Sequence, residues 1–276
     1  MSGREDAMHE LCFNTMNRSA YLMGEVDPDL PGQIAAAGRA GFTGFGADAY
    51  SIARFVADGG RLEELAEQIA AAGMRTFELP TLMVNADAEG TRREIDRLLG
   101  FARVLRPDFV QLNVDSAVDE TVLDGLRRAE DAFAETGARL AIEYLPWLPA
   151  IKDIASTRDL IGRAGVERTG VLVDTWHFTL GNDTWGELEA LPLDEIAYVQ
   201  FDDHPPLETD DLMNETLMRR VLPGEGVFEL ERFCGVMRSK GYAAPVSCEI
   251  LSAETREMDL DRFAQRVFDT TASFWR

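Results

Sequence analysis

The sequence is short of basic residues, of histidine and of cysteine, and each shortage closes off a class of function. Lys and Arg total 27 against 49 Asp and Glu, a formal net charge of −22 over 276 residues. A phosphate backbone needs a basic footprint, so nucleic acid is excluded as a partner, and an anionic membrane surface on the same ground. Cys12, Cys234 and Cys248 are odd in number and widely spaced, which gives neither a disulfide framework nor a zinc knuckle. No apolar run approaches the roughly 18 residues that span a bilayer. The opening MSGREDAMHE is polar and has no apolar signal core, so the expected compartment is the cytoplasm. No GxGxxG follows the first strand-like run, which removes the dinucleotide fingerprint.

What is present is a globular composition, 46% hydrophobic and 28% charged, with the acid surplus expected on solvated helix faces. Short apolar or β-rich runs recur along the chain: LCFN (11–14), FTGFG (42–46), RTFEL (75–79), FVQLN (109–113), LAIEY (140–144), VLVDT (171–175), AYVQF (197–201) and VSCEI (246–250). Helix-periodic stretches such as 62–73, 91–105 and 120–137 lie between them, the first and third ending in glycine. Strand and helix alternating at this spacing predict parallel βαβ connections. Eight such units predict an α/β fold of one domain, a single (β/α)8 TIM barrel over 11–276 behind a polar tail, 1–10. The long gap before the last run leaves a loop, roughly 202–226, expected to cover the site.

Several runs end in an acidic or amide residue: Glu78, Asn113, Glu143, Asp174, Gln200 and Glu249. Carboxylates inside apolar strands are costly unless they are paired, hydrogen-bonded or bound to metal. At equivalent strand ends they converge on the barrel mouth, where a divalent cation neutralises them most simply. Glu, Asp and amide oxygens suit Mg²⁺ or Mn²⁺ better than a thiol-loving metal. The alternative is pairing with Arg or Lys, or exposure at loop edges.

His177, three residues after Asp174, is a candidate to ligate metal, orient a ligand or polarise a substrate hydroxyl; the alternative is a core imidazole. His204, in FDDHPP, is expected in an exposed loop, and His9 in the tail. Trp147 and Trp176 follow strand-end acids and either wall a ligand pocket or simply pack. Arg220 precedes the glycine turn VLPGEG; it holds a carboxylate, phosphate or hydroxyl of a ligand, or forms a surface ion pair.

Taken in order, IEYLP around Glu143, VDTWH around Asp174 and His177, YVQFDD around Gln200, RRVLPGEG (219–226) and SCEIL around Glu249 resemble the xylose-isomerase-like barrel superfamily, also called sugar phosphate isomerases/epimerases. The resemblance implies one divalent metal held by Glu143, Asp174, Gln200 and Glu249, with Mn²⁺ or Mg²⁺ preferred and Co²⁺ or Zn²⁺ as alternatives. It implies that Glu143 and Glu249 move protons on either side of a keto-sugar carbon through an enediolate. His177 and Arg220 would contact substrate, with Trp147, Trp176, Glu78 and Asn113 as further substrate-binding residues. Gln200 departs from the family, where most members have histidine; a neutral amide makes the site harder and resembles the metal-dependent dehydratases. The endonuclease branch, with its multi-zinc sites, needs more histidines than three.

Three functions follow as expectations. The first is a metal-dependent isomerase or epimerase of a small keto-sugar or cyclitol. The second is a dehydratase of a polyhydroxylated cyclic ketone, resembling 3-dehydroshikimate or inosose dehydratase. The third is a ligand-binding barrel that has lost its chemistry. The expected partner is a small polyhydroxylated molecule. A homo-oligomer through the C-terminal helix, with Leu260, Phe263, Val267 and Phe274, stands beside the preferred reading that this helix packs on the barrel.

Overall fold

Eight strands follow the expected runs closely. They are β1 (Leu11–Asn14), β2 (Gly44–Gly46), β3 (Arg75–Val84), β4 (Phe109–Val114), β5 (Arg139–Glu143), β6 (Thr169–Asp174), β7 (Ile196–Gln200) and β8 (Val246–Cys248). In this computed structural model, which describes residues 9–275, they are all parallel and close in sequence order, β8 pairing with β1. Every residue of β4, β6 and β7 is buried, as strands covered on both faces require. Most of the expected tail 1–10 lies outside the described residues. His9 does not: its ring lies 2.9 Å from the Tyr242 carbonyl and stacks with Tyr242.

The helices between strands begin and end where local chemistry dictates. Ala88–Leu105 starts at Asp87, whose side chain accepts from the Gly90 amide, and stops at Arg106 in the left-handed region. Ile154–Ala164 opens on a reciprocal Asp153/Ser156 capping box and ends at Gly165, φ 68°. The C-terminal helix Leu260–Phe274 buries Phe263 and Val267 and packs against the helix Leu30–Ala40. Among the described residues no helix is long and apolar enough to cross a membrane.

Side chains of successive inward positions stack in layers. The lower layer is an aromatic plug in which Phe77, Phe109 and Tyr198 meet with ring centroids 5.1–5.6 Å apart. Two residues further along the strands the interior turns polar, with Gln111, Glu143, Asp174 and Gln200. The plug therefore seals the barrel from below and the polar layer faces the mouth. After β7 the segment 202–226 forms an ordered cover, with the helix Leu212–Met218 and an antiparallel bridge from Asp203 to Val221.

Candidate active site

Period-two alternation brings Gln111 and Asn113 of β4 to the same face, and both reach the end of β5. Glu143 Oε2 accepts from Gln111 Nε2 at 2.7 Å and from Asn113 Nδ2 at 2.8 Å. Its other oxygen lies 3.2 Å from His177 Nε2. The Gln200 carboxamide sits across from these groups, its Nε2 donating to Gln111 Oε1 and to Glu249 Oε1, each at 3.3 Å. Asn14, at the end of β1, also donates to Glu249 Oε1, at 3.3 Å. A continuous amide bridge thus links the two glutamates, Glu143–Gln111–Gln200–Glu249.

Asp174 ends β6 and caps the short helix Thr175–Leu180, Oδ1 accepting from the amides of Trp176 (2.6 Å) and His177 (3.1 Å). Its other oxygen accepts from Arg220 Nη1 at 2.9 Å. The same nitrogen donates to Asp202 and to the Glu249 carbonyl (3.1 Å), and stands 3.4 Å from Glu249 Oε2. Nε and Nη2 of Arg220 both donate to Thr216 Oγ1. Arg220 is 1% exposed, so it is a buried counter-charge, and the surface ion pair is excluded.

Burial by itself would raise the Asp174 carboxyl, but Arg220 and His177 hold it below the usual carboxylate range. Burial pushes Glu249 well up, against the pull of Arg220 and with the help of Glu143 and Asp174. Asp202 is likewise raised by burial, with Arg220 opposing and Asp174 adding to the rise.

A cavity of about 400 Å³ opens above these groups, walled by Gln111, Asn113, Glu143, His177, Arg220 and Glu249 at its floor and by Trp147 at one side. Trp176 does not reach it. This ring is wholly buried behind His177, their centroids 5.3 Å apart, because the turn after Asp174 folds it inward.

Glu78 is also displaced from its expected place on the substrate wall. β3 runs on to Val84, so Glu78 is a mid-strand residue, and a register shift opposite Phe45/Gly46 accompanies the inward turn of both Phe77 and Glu78. Glu78 lies sealed below the cavity, accepting from Ser247 Oγ and from Cys12 Sγ (3.5 Å). A β-carbon on Gly46 would stand 2.6 Å from Glu78 Oε1, so glycine is required there. His204 is buried rather than exposed, its Nε2 3.3 Å from Glu215 in the cover.

Sequence reading passed over Asn14, Gln111, Asp202 and Thr216. A signal existed for three of them: Asn14 closes LCFN as Asn113 closes FVQLN, Gln111 shares the inward alternation of Asn113, and Asp202 follows Gln200 at the same spacing. Thr216 had none, because its place depends on how the cover folds.

Two observations bear on a metal ion. Oxygen or nitrogen atoms of Glu143, Asp174 and His177 lie within 4.8 Å of one another, and Gln200 Oε1 is buried with no hydrogen-bond partner. Glu143, Asp174, Asp202 and Glu249 crowd around a single guanidinium, and the burial that raises Asp202 and Glu249 is a cost that a bound cation would relieve. These residues could hold a metal ion.

The chain belongs to the xylose isomerase-like TIM barrel family, whose model matches residues 34–267. It is similar to a 3-dehydroshikimate dehydratase of Pseudomonas aeruginosa, 29% identical over 180 residues covering 60% of this chain and 28% of that protein. The chain therefore spans little more than a quarter of that relative's length. An inosose isomerase of Halalkalibacterium halodurans is 21% identical over 157 residues, 56% of this chain and 55% of the relative. Among solved structures, that of the IOLI protein with a bound zinc atom superposes with a TM-score of 0.83 at 18% identity, over 96% of this chain and 97% of that one. The likeness to that structure is one of fold.

Proposed function

We propose that the chain is a divalent-metal-dependent isomerase or epimerase of a small polyhydroxylated ketone, abstracting a proton next to the carbonyl. The observation that carries this reading is the pair of buried glutamates, Glu143 and Glu249, joined by amides and facing one cavity. Glu143, Asp174, Gln200 and Glu249 would hold the metal, with the unpartnered Gln200 Oε1 as its amide donor. Four oxygen donors favour Mn²⁺ or Mg²⁺. A bound divalent ion supplies Lewis-acid polarisation of the substrate carbonyl.

The side chains divide the remaining work. Glu143 is held by donors at 2.7 and 2.8 Å, whereas the contacts to Glu249 are 3.3–3.4 Å. The loosely held carboxylate is the one that can change partners, so Glu249 takes the proton from carbon. His177 and Glu143, in contact on the other side, return a proton to the opposite face or to the neighbouring carbon. Arg220 and the amides keep both carboxylates in place during the exchange.

Dehydration is a second reading, supported by Gln200 and by the 3-dehydroshikimate dehydratase relative. There, the same proton loss is followed by departure of a β-hydroxyl as water, with the proton supplied from the His177 side.

The test is solvent deuterium exchange into keto-polyols, followed by NMR with the Mn²⁺- or Mg²⁺-loaded protein. Wild type is expected to wash out the α-proton. Glu249→Gln is expected to slow this by about 10²–10⁴-fold. Glu143→Gln is expected to retain exchange while blocking product. Growth of a conjugated ultraviolet band selects the dehydratase reading. Exchange unchanged in both variants, or unaffected by exhaustive chelation, would overturn the proposal.

A further inference from the structure

Each feature of this mouth that ordinarily receives an anion is already occupied by a carboxylate of the chain itself. The first is Arg220, the one cation on the cavity wall among the described residues. Its charge is committed to Asp174 and Asp202, both fully buried. Turning it toward a substrate anion would leave two buried carboxylates without their counter-charge. The second is the amide row at the start of Thr175–Leu180, where Asp174 accepts from Trp176 and His177. Away from this cavity, on a separate surface pocket, the glycine turn of the cover is also the kind of backbone that cradles phosphate. Its Gly224 and Gly226 amides both donate to Asp203 Oδ2, at 3.0 Å each. Asp115, exposed on the rim, and the net charge of −22 add repulsion toward an approaching anion.

The outer wall has the opposite character from the floor. Tyr21 is 57% exposed and Met213 49% exposed, and Met16, Tyr50, Met83 and Leu217 are half-buried beside them on the same cavity. Tyr21 and Tyr50 stand with ring centroids 5.2 Å apart. An exposed apolar rim above a polar floor marks a place where the apolar part of a ligand is removed from water.

We infer that the site selects an uncharged polyhydroxylated ketone that carries an apolar or aryl group, and discriminates against carboxylated or phosphorylated ketones. The inference rests on the proposed function above and names the substrate class of that same site. The ketone and its hydroxyls meet Glu143, His177 and Glu249, while the apolar group lies against Tyr21, Tyr50 and Met213. The one N–H of Arg220 Nη2 not directed at Thr216 remains for a neutral oxygen, which demands no new charge balance.

The experiment is calorimetric titration of the metal-loaded protein with four probes: an inosose, its mono-O-benzyl ether, 3-dehydroshikimate and fructose 6-phosphate. Binding of the inosose is expected, with affinity for the benzyl ether higher by about tenfold or more from burial of the aryl face. The two anions are expected to bind at least about a hundredfold more weakly than the inosose, because apart from the metal, which the ketone itself would meet, no uncommitted cation lines the cavity among the described residues. In a Tyr21→Ser/Met213→Ser variant the preference for the benzyl ether is expected to fall to under about twofold while inosose affinity is kept. Either anion binding as tightly as the inosose overturns the inference, as does binding of none of the four. A benzyl ether no tighter than the inosose removes the apolar subsite. Binding in the expected order without α-proton exchange leaves the inference standing and defeats the proposed reaction.

Discussion

At the scale of single residues, Glu78 is an acid buried below the cavity with no cationic partner among its hydrogen bonds. Burial raises its carboxyl to about 7 from 4.5, against the opposing hydrogen bonds of Ser247 and Cys12. A raised acid makes stability fall with pH. Below pH 4.5 both folded and unfolded states hold the proton; between 4.5 and about 7 only the folded state does; above that the full penalty is present. The shift corresponds to roughly 3 kcal/mol of stability lost between those limits. Glu78→Gln has nothing to titrate, so its stability relative to wild type is expected to rise between pH 5 and pH 8 by about that amount. Chemical denaturation of both proteins across the range measures it. A difference that is flat with pH would mean Glu78 keeps its charge when folded. The same residue shows why a strand-end reading from sequence failed here. RTFEL looks like a whole strand with Glu near its end, but the cavity edge of β3 lies beyond it, in PTLMV. Periodicity gives the face a residue occupies and not its depth along the barrel.

At the scale of elements, the strands were legible because parallel strands buried on both faces are written as apolar runs, and LCFN coincides with β1 residue for residue. Glu143, Asp174, Gln200 and Glu249 were legible as polar exceptions within those runs. The cover was not, because polar contacts distant in sequence organise it. Asp203 is its centre: Oδ1 accepts from the amides of His204 (2.8 Å) and Phe228 (3.0 Å), and Oδ2 from Gly224 and Gly226. Glu215 repeats the arrangement, accepting from the amides of Glu208 and Thr209 and pairing with Arg219. Asp203→Ala leaves four amides unpaired, so a loss of about 3 kcal/mol or more is expected. Hydrogen exchange should place the loss locally, with amides of 224–228 exchanging about a hundredfold faster and those of β4 and β6 unchanged. Acceleration spread evenly over the barrel would instead show that the cover and barrel unfold as one unit. Because this segment carries Arg220, which donates to Thr216 within it and to Asp174 of the barrel, loosening it also loosens the counter-charge of the site.

At the scale of the whole molecule, 49 acidic side chains face 27 basic ones, and the excess governs the response to salt. Two effects oppose each other. Salt screens exposed ion pairs such as Arg75 with Asp108 and Glu10, or Arg158 with Glu195, but pairs of this kind contribute only about 0–1 kcal/mol each. Salt also screens repulsion among acids that have no partner, and that repulsion acts on the compact state more than on the expanded chain. Raising NaCl from about 10 mM to 500 mM shortens the screening length from about 30 Å to a few ångströms, which removes repulsion across the whole surface. The buried carboxylates around Arg220 are screened far less, being out of contact with the solvent ions. The melting temperature, measured with a chelator present to exclude divalent ions, is therefore expected to rise with NaCl by several degrees, on the order of 2–4 °C per kcal/mol gained. A melting temperature that falls would mean that the surface pairs, taken together, outweigh the unpaired surplus. It would also weaken the case that the molecule's field turns anions away from the mouth, because one excess of charge produces both effects.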